Sequence, residues 1–500
     1  MIKSRTWVVN IHCIDINNIE RILNFSSGEY IDENKIYYDV RIKQPSLVSV
    51  NGYSGAILQS DSESSVGEIE LVNVDRELDY LADYAFDGRD CRVFLIDEYG
   101  NKSNTMNFVI NNIRWSSTTV SFVLRSYHSL LDTQHPNNTY LGNNILPFGL
   151  EGTSDIVGNV KPRIYGKVSH VSGVFVNTSK LVYQVCDSDD VLITEVYDKG
   201  VPIDYQQTFS NYDSFINTTI ETGHYVVYKG YFRLGSKPVG VVTCNAQRQS
   251  ISANNTLVNV INDYNSKYNS DISVYLDVEQ LIRDYEVGIY INSEINTSNI
   301  VNLISRSIGC MYDVVNNQVY LSRVNLEVGS CDIELFDYNI ISIERNATAL
   351  GDNSIPINKV TVMYDKVNTT VSEPAGSVNE SDAARLSTST RSSVSINSEI
   401  ILRNKLSKSF SFESCLNKQS EAEELSNWML SILSRKRVDV YSVKVRLDVE
   451  LINNVKIGNT VKLNTYKLNL TNGIYTSIIG HTIDAKNGRI ELKLIGGVHV

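Results

Sequence analysis

Along the first 130 residues apolar positions recur mainly at period two, which puts one face of a strand on a core and the other toward solvent or a neighbour. Glu68-Ile69-Glu70-Leu71-Val72-Asn73-Val74 alternates strictly. Val48, Val50 and Tyr53, then Arg92-Val93-Phe94-Leu95-Ile96 and Thr119-Val120-Ser121-Phe122-Val123-Leu124, are further strand runs. Between them the spacing predicts a helix over Asp75 to Phe86. Leu78, Leu81, Ala82 and Ala85 share a face, Asp75 stands at the N-cap, and Gly88 closes the segment. Residues 131–164 carry a turn former every few positions and read as a crossing segment. Strands return over 165–250, with Val171, Val174 and Val176, Leu181 to Val185, Tyr225 to Tyr228, and Val239 to Val242. Residues 251–334 are mixed. Short helices are expected at Thr256 to Tyr264 and at Asp277 to Tyr285. A stronger one runs from Thr297 to Ile308, capped by Thr297 or Ser298 and ended by Gly309. A hairpin follows, turning at Asn316-Asn317.

Residues 335–500 form the last unit. The Ser/Thr-rich stretch 372–398 has few bulky apolar residues and reads as a flexible excursion. The strongest helical pattern covers 420–434, where Ala422, Leu425, Trp428, Met429, Ile432 and Leu433 share one face. Ser420 and Glu423 have capping-box spacing. Arg435-Lys436-Arg437 sits at the C-terminal end, where the helix macrodipole favours cations; an acidic partner is the alternative reading. The final 65 residues read as a β-meander. Val443, Val445, Leu447, Val449 and Leu451 alternate, and turns fall at Asn453-Asn454, Thr471-Asn472-Gly473 and Lys486-Asn487-Gly488. The pattern as a whole predicts a mainly β, multi-domain chain with a few short helices (α+β).

At 500 residues, about three domains are expected. Hydrophobic residues are 42% and charged residues 20%, enough for packed cores and sparse enough in charge to favour β-structure. The formal charge of −12 argues against wrapping nucleic acid, which needs clustered Lys and Arg. Seven cysteines are scattered without a CxxC pair and read as buried apolar residues in a reducing cytoplasm. Asn10, His12 and Asp15 interrupt the apolar run after Arg5, so no signal peptide is expected. No stretch approaches the roughly 20 apolar residues of a membrane helix.

Candidate chemistry is thin. Gly166-Lys167 is like the end of a P-loop, but no Gly lies five residues before Gly166, and Val168 stands where Ser or Thr is needed. His128, Asp132 and His135 have i, i+4, i+7 spacing, which on a helix converges on a metal, yet Pro136 follows at once. Asp187, Asp189 and Asp190 are like a calcium loop without its Gly and terminal Glu, and a solvated turn is the simpler reading. The 29 tyrosines suit sheet packing and interface area, with a sugar-binding platform as the alternative. No catalytic, cofactor-binding or metal-ligating residue is assigned, and no cofactor is expected.

One ordered series stands out. Leu150-Glu151-Gly152, Ile156, Gly158, Lys161-Pro162-Arg163, Tyr165-Gly166-Lys167-Val168, Val171, Val176 and Tyr183-Gln184-Val185 together resemble the central segment of the tail hub (tail-tip or baseplate hub) proteins of tailed bacteriophages and prophages. Upstream, Gly67-Glu68-Ile69, Asn73, Leu78, Leu81 and Phe86-Asp87-Gly88-Arg89 are similar to that family's first strand and helix. Downstream, Val287-Gly288-Ile289-Tyr290, Val319 to Arg323, Ile457-Gly458-Asn459-Thr460-Val461 and Gly496-Gly497 fit as well. The resemblance covers most of the chain.

It implies a non-enzymatic virion protein at the tail tip, assembled in the host cytoplasm. The chain would be a homotrimer with two tube-like β-barrel domains per subunit, drawn from 1–130 and from 335–370 plus 400–500, and with 165–330 inserted. Implied partners are tail tube and distal tail proteins, tip, fibre or spike proteins, and the tape measure protein. DNA is implied only in transit, and no stable membrane insertion is implied; if part of the −12 charge of each chain lines the bore, like charge repels phosphate there. A receptor- or carbohydrate-binding tail protein and a tail-associated cell-wall hydrolase are the competing readings.

Overall fold

The alternating run at the N-terminus forms the middle of a large sheet. In the computed structural model, Trp7, Val9, Ile11 and Cys13 of strand Thr6–Ile14 point to one buried side, while Asn10, His12 and Ile14 point to the other. The structure describes residues 5–496 apart from 55, 56, 59, 136, 276–282, 327–329, 348–355 and 435–438. The sheet has nine strands in the order Tyr30–Ile31, Tyr37–Val40, Glu20–Ser26, Thr6–Ile14, Asp90–Ile96, Met106–Trp115, Thr119–Arg125, Glu68–Val72 and Ile42–Gln44. Val8, Phe94, Ile96 and Tyr38 make a small second core on its far side.

A C-terminal sheet runs Ile333–Phe336, Thr460–Thr465, Leu470–Asp484, Arg489–Gly496, Asp439–Arg446 and Ile340–Ala347. Its longest strand, Leu470–Asp484, pairs along its first half with Thr460–Thr465. Along its last residues it pairs with Leu47–Asn51, in register from Gly480 opposite Asn51 to Asp484 opposite Leu47. Leu47–Asn51 in turn pairs with Glu63–Val66. A hairpin from the first 70 residues therefore completes the sheet made by the last 170. The expected unit 1–130 thus shares its strands with the C-terminal unit. It shares its core too: Trp7, Ile11 and Phe122 lie in one continuous apolar cluster with Tyr441, Leu463 and Leu492. Each such side chain contributes about 1.5–3 kcal/mol by burial.

Between these two lies a third, nine-stranded sheet that spans Arg163–Val171 to Gly288–Ile291. Helix Ala253–Tyr268 and helix Thr297–Ser307 pack beside it, over a cluster that includes Val260, Ile300, Ile304 and Tyr312. The hairpin Cys310–Val315/Gln318–Arg323 turns at Asn316 and Asn317, whose φ values of 51° and 60° are those of a tight left-handed turn. The fold is mainly β and multi-domain with a few short helices, as the periodicity predicts.

The pattern is overruled at several points. The expected helix over Asp75 to Phe86 shrinks to one 3-10 turn, Asp79–Asp83. Asn73 Oδ1 takes the Leu78 amide at 2.9 Å, Asp75 faces Arg41, and Arg76 has φ 62°, so no continuous helical ladder forms. The strongest helix is Gln419–Leu433, but the Ser420–Glu423 box is not formed; Gln419 Nε2 donates to Glu423 instead, at 2.7 Å. Thr297 and Ser298 do not cap their helix. Their amides bond the carbonyls of Thr133 and Leu131, so the crossing segment does the capping. Alternation through Leu451 stops early because Asp448 accepts the Leu451 amide at 2.7 Å and starts helix Val449–Asn454. Gly473 lies inside the strand Leu470–Asp484 rather than between two strands. The helix expected at Thr256 to Tyr264 is longer, Ala253–Tyr268, capped by Ser252 and ended by a left-handed Asn269. Residues 277–282 of the other expected helix lie outside the described residues, as do Arg435, Lys436 and Arg437.

The stretch expected to be a flexible excursion, 372–398, is built into the fold. Helix Glu380–Ser387 is capped by Asn379 and buries Leu386. Leu386 closes over the Lys199–Gly200 turn of the central sheet, and Ala375 donates to the Lys199 carbonyl at 3.0 Å. Strand Arg391–Ile396 joins Ile357–Tyr364, which also pairs with Lys408–Glu413. Ser393 and Ser395 face inward, where their hydroxyls meet Ser426 of helix Gln419–Leu433 at 3.3 and 2.8 Å. Serine is the inward residue here because two hydroxyls satisfy a third.

Because the two outer sheets share one core, a fragment of residues 1–130 alone is expected to stay unfolded, with no dispersed amide spectrum. In the full chain Phe122→Ala is expected to cost about 3–5 kcal/mol. It should lower hydrogen-exchange protection in the strands at 439–446 as well as at 6–14; protection lost from the N-terminal strands alone would show two separate cores.

Candidate functional site

Arg163 and Tyr165 of the Lys161-Pro162-Arg163…Tyr165-Gly166 run meet at one buried polar junction, while Lys161 pairs with Glu151 of the crossing segment at 2.6 Å. Arg163 and Tyr165 open strand Arg163–Val171; Arg248 ends strand Val242–Arg248; Asp263 lies on helix Ala253–Tyr268. The Asp263 carboxylate accepts Arg163 Nη1 at 2.5 Å, the Tyr165 hydroxyl at 2.5 Å and Arg248 Nη1 at 2.9 Å. Arg248 Nε donates to Asp190 at 2.9 Å, and its guanidinium lies 5.2 Å from the centre of the Tyr165 ring. Since the Tyr165 hydroxyl gives its proton to a carboxylate, it must accept from His135 Nε2, at 2.7 Å. His135 Nδ1 is then the acceptor for Thr297 Oγ1, at 3.1 Å. Strand, helix, crossing segment and the start of helix Thr297–Ser307 are thereby tied at one point.

Electrostatics follow from burial and from the two guanidinium groups. Burial tends to raise the Asp263 carboxyl, but hydrogen bonds from Arg248 and Tyr165 outweigh it and hold the group below the usual carboxylate range. Burial, helped by the nearby Arg163 charge, pushes His135 down to about 4, so the ring is neutral. The three short bonds all fall on Oδ2 of Asp263, while Oδ1 has only Arg248 Nη2, at 3.5 Å. Chemically the cluster is a clamp.

Two glycines press the same junction together. Gly166 has φ 70°, and a Cβ there would overlap the Val287 carbonyl; a Cβ on Gly288 would overlap the Lys167 carbonyl. Tyr165-Gly166 and Val287-Gly288 therefore need glycine for the strands Arg163–Val171 and Gly288–Ile291 to approach.

A second polar point lies where the three large parts of the fold meet. A cavity of about 390 Å³ is lined by Val48 and Val50 of the inserted hairpin, Phe108, Tyr127, Asp313, Tyr320, Ile452 and His481. His128 stacks on Tyr312 with ring centres 4.5 Å apart, and its Nδ1 is 3.8 Å from the Asp313 carboxylate. Burial lowers His481 to about 4 despite the opposing charge of Asp313.

The sequence candidates fall into place differently from a metal or calcium site. His128 faces Asp313 and His135 faces Tyr165, so the triplet with Asp132 does not converge. Among the described residues no group of three such side chains is placed to hold a metal ion. Asp189 pairs with Lys229 at 2.7 Å and Asp190 with Arg248, so the aspartate run is a salt-bridged turn. Gly166-Lys167 lies within a strand, not a phosphate loop. The described cysteines are all unpaired thiols, six of them buried. Sequence reasoning missed Asp263 and Arg248. The available signal was Asp263 itself, a carboxylate on the same helical face as Thr256, Val260 and Tyr264.

No protein-family model matches the sequence, and no curated protein matches it. In structure the chain resembles phage tail and baseplate proteins. It is similar to a tail protein from Neisseria meningitidis MC58 at 8% identity and TM-score 0.46, over 98% of this chain and 96% of that one. The 43 kDa tail protein of prophage MuSo2 from Shewanella oneidensis aligns at 9% identity and TM-score 0.43, over 98% of each chain. Prophage tail protein gp18 from Listeria monocytogenes EGD-e aligns at 7% identity and TM-score 0.41, over 98% and 94%.

Asp263→Ala leaves two buried guanidinium groups without their carboxylate and is expected to cost about 3–5 kcal/mol by denaturant unfolding. The two depressed histidines set an acid limit. Above pH 6.5 His135 and His481 are neutral in both folded and unfolded chains. As pH falls from 6.5 toward 4 the unfolded chain takes up the protons first, so stability is lost by about 3 kcal/mol per histidine. His481→Gln is expected to flatten that slope by about half; an unchanged pH profile of unfolding would count against a buried neutral ring.

Proposed function

We propose that this chain is a structural protein of a bacteriophage or prophage tail, the central hub of the tail tip or baseplate. Three copies form a ring that joins a sixfold tail tube to a threefold tip and surrounds the DNA path. The observation that carries the reading is the ordered series from Leu150 to Val185. Its members Lys161, Arg163, Tyr165 and Gly166 resemble the hub family's central segment. In this chain Arg163, Tyr165 and Gly166 gather at the joint between the central sheet and its helices, and Lys161 ties the crossing segment through Glu151.

The architecture supports the reading. Two large sheets share one core, which suits a ring wall better than a cleft enzyme. The Asp263 junction bonds strand, helix and crossing segment to one another, in keeping with a non-enzymatic, load-transmitting role. Two tube-like barrel domains per chain, contributed by 1–130 and by the C-terminal region, would turn three chains into a pseudo-sixfold ring. Partners in this reading are tail tube and distal tail proteins on one side, tip, fibre or spike proteins on the other, and the tape measure protein and transiting DNA within. The location is the virion tail tip.

Mass photometry with negative-stain imaging tests this. The expected species has three times the 56.1 kDa chain mass and appears as a threefold ring with a central opening. Antibody against the chain is expected to label the tail tip of intact particles. Label on the tail sides or fibres, together with glycan binding by the free chain, would move the assignment to a receptor-binding protein. Clearing of a peptidoglycan gel would move it to a hydrolase.

A further inference from the structure

Two exposed surfaces of this chain each carry apolar side chains, and their rims are opposite in charge. The first is the outer face of the small sheet Ile357–Tyr364, Arg391–Ile396 and Lys408–Glu413. Helix Gln419–Leu433 covers the inner face. The outer face turns Val394 and Ile396 to solvent, and beside it helix Ser398–Arg403 and the following turn present Leu402 and Leu406, 84% and 74% exposed. Arg403, Lys405 and Lys408 lie exposed along the same segment and make no ion pair among the described residues, against one exposed acid of that helix, Glu399. In a chain of net charge −12, this is a cationic, apolar face.

The second surface is the hairpin Tyr30–Ile31/Tyr37–Val40, at one end of the N-terminal sheet, so that its outer edge is free. Tyr30 and Tyr38 turn inward onto Phe94. Ile31 and Tyr37, opposite each other in the ladder, are 62% and 60% exposed, with Ile36 beside them. Glu29 and Glu33 stand exposed at the rim, with Lys35 the one exposed cation of the turn. This is an anionic, apolar edge.

We propose that these two surfaces bind each other between neighbouring copies of this chain: the hairpin of one copy seats on the outer face of the 391–408 region of the next. The inference rests on the ring reading above and deepens it by naming the contact. Each surface has an apolar centre with a charged rim, the anatomy of a specific interface, and the rims are opposite in sign. Two different surfaces that pair head to tail leave one of each kind free after every addition, so the arrangement closes only as a ring. Leu402 and Leu406 would be removed from water against Ile31 and Tyr37, and Arg403 and Lys405 would face Glu29 and Glu33. Opposed rim charges mainly set orientation and exclude wrong pairings.

A charge swap in the full chain tests the contact, read by sedimentation velocity and mass photometry. The residues are exposed, so each variant is first checked for an unchanged melting temperature. Arg403→Glu with Lys405→Glu, and separately Glu29→Lys with Glu33→Lys, are each expected to weaken self-association at least about tenfold. All four changes together are expected to restore most of it. For the wild type, added salt is expected to weaken association. Rings that persist unchanged in both single-surface variants would overturn this contact and leave the ring reading intact. Failure of the fourfold swap to restore association would overturn direct pairing of the two surfaces. A wild-type chain that remains monomeric at every concentration would overturn self-docking, while tip labelling of particles judges the hub reading separately. Binding of the 391–408 face to anionic vesicles, lost in Leu402→Ser with Leu406→Ser while association stays intact, would assign the face to a membrane instead.

Discussion

The fold depends on a single strand pairing, between Leu47–Asn51 and the end of Leu470–Asp484. The Ser49 and Thr482 hydroxyls that meet across it at 3.0 Å are 433 residues apart in sequence. Closing so long a loop is entropically costly, though the cost grows only logarithmically with length. What offsets it is the core that the pairing seals, in which Trp7, Ile11 and Phe122 pack with Tyr441, Leu463 and Leu492. Without that pairing the N-terminal sheet has an open apolar face and the C-terminal sheet has an incomplete edge. The central sheet, from Arg163–Val171 to Gly288–Ile291, and its helices hang from this closed frame.

The inserted part is held by a different kind of force. Asp263 gathers two arginines and a tyrosine, and His135 reads the state of that tyrosine through one hydrogen bond. A buried ion cluster of this kind contributes less to net stability than its short distances suggest, because desolvation consumes most of the Coulomb gain. What it fixes is geometry: strand, helix and crossing segment are tied in one mutual arrangement through Asp263, Tyr165 and His135. Gly166 and Gly288 act in the same direction by forbidding any side chain between the two backbones.

Much of this was legible in the chain. Period-two runs located the strands, and the apolar stripe from Ala422 to Leu433 located the longest C-terminal helix. The ordered motif run pointed to the joint before its chemistry could be seen. What remained hidden has physical causes. The 372–398 stretch looked flexible because its inward residues are Ser393 and Ser395 and its outward ones Val394 and Ile396, the reverse of the usual pattern; hydroxyl pairing with Ser426 makes that inversion stable. The helix expected after Asp75 failed because Asn73 and Asp75 offered side-chain acceptors that compete with the helical ladder. Members of the ion cluster lie at 135, 163, 165, 190, 248 and 263, and no local pattern ties positions so far apart. The 47–51 pairing is invisible for the same reason.

That pairing also sets a timetable for synthesis. A ribosome adding about 5–20 residues per second needs roughly 20–90 s to travel from Ser49 to Thr482. For that interval the nascent chain holds half of a core with no second half, and its free strand Leu47–Asn51 has only the hairpin partner Glu63–Val66. The chain cannot commit to its final shape domain by domain as it emerges; it commits when the last strands arrive. Such a protein matures as a complete unit, and the cell's holdases have a long window in which to meet it.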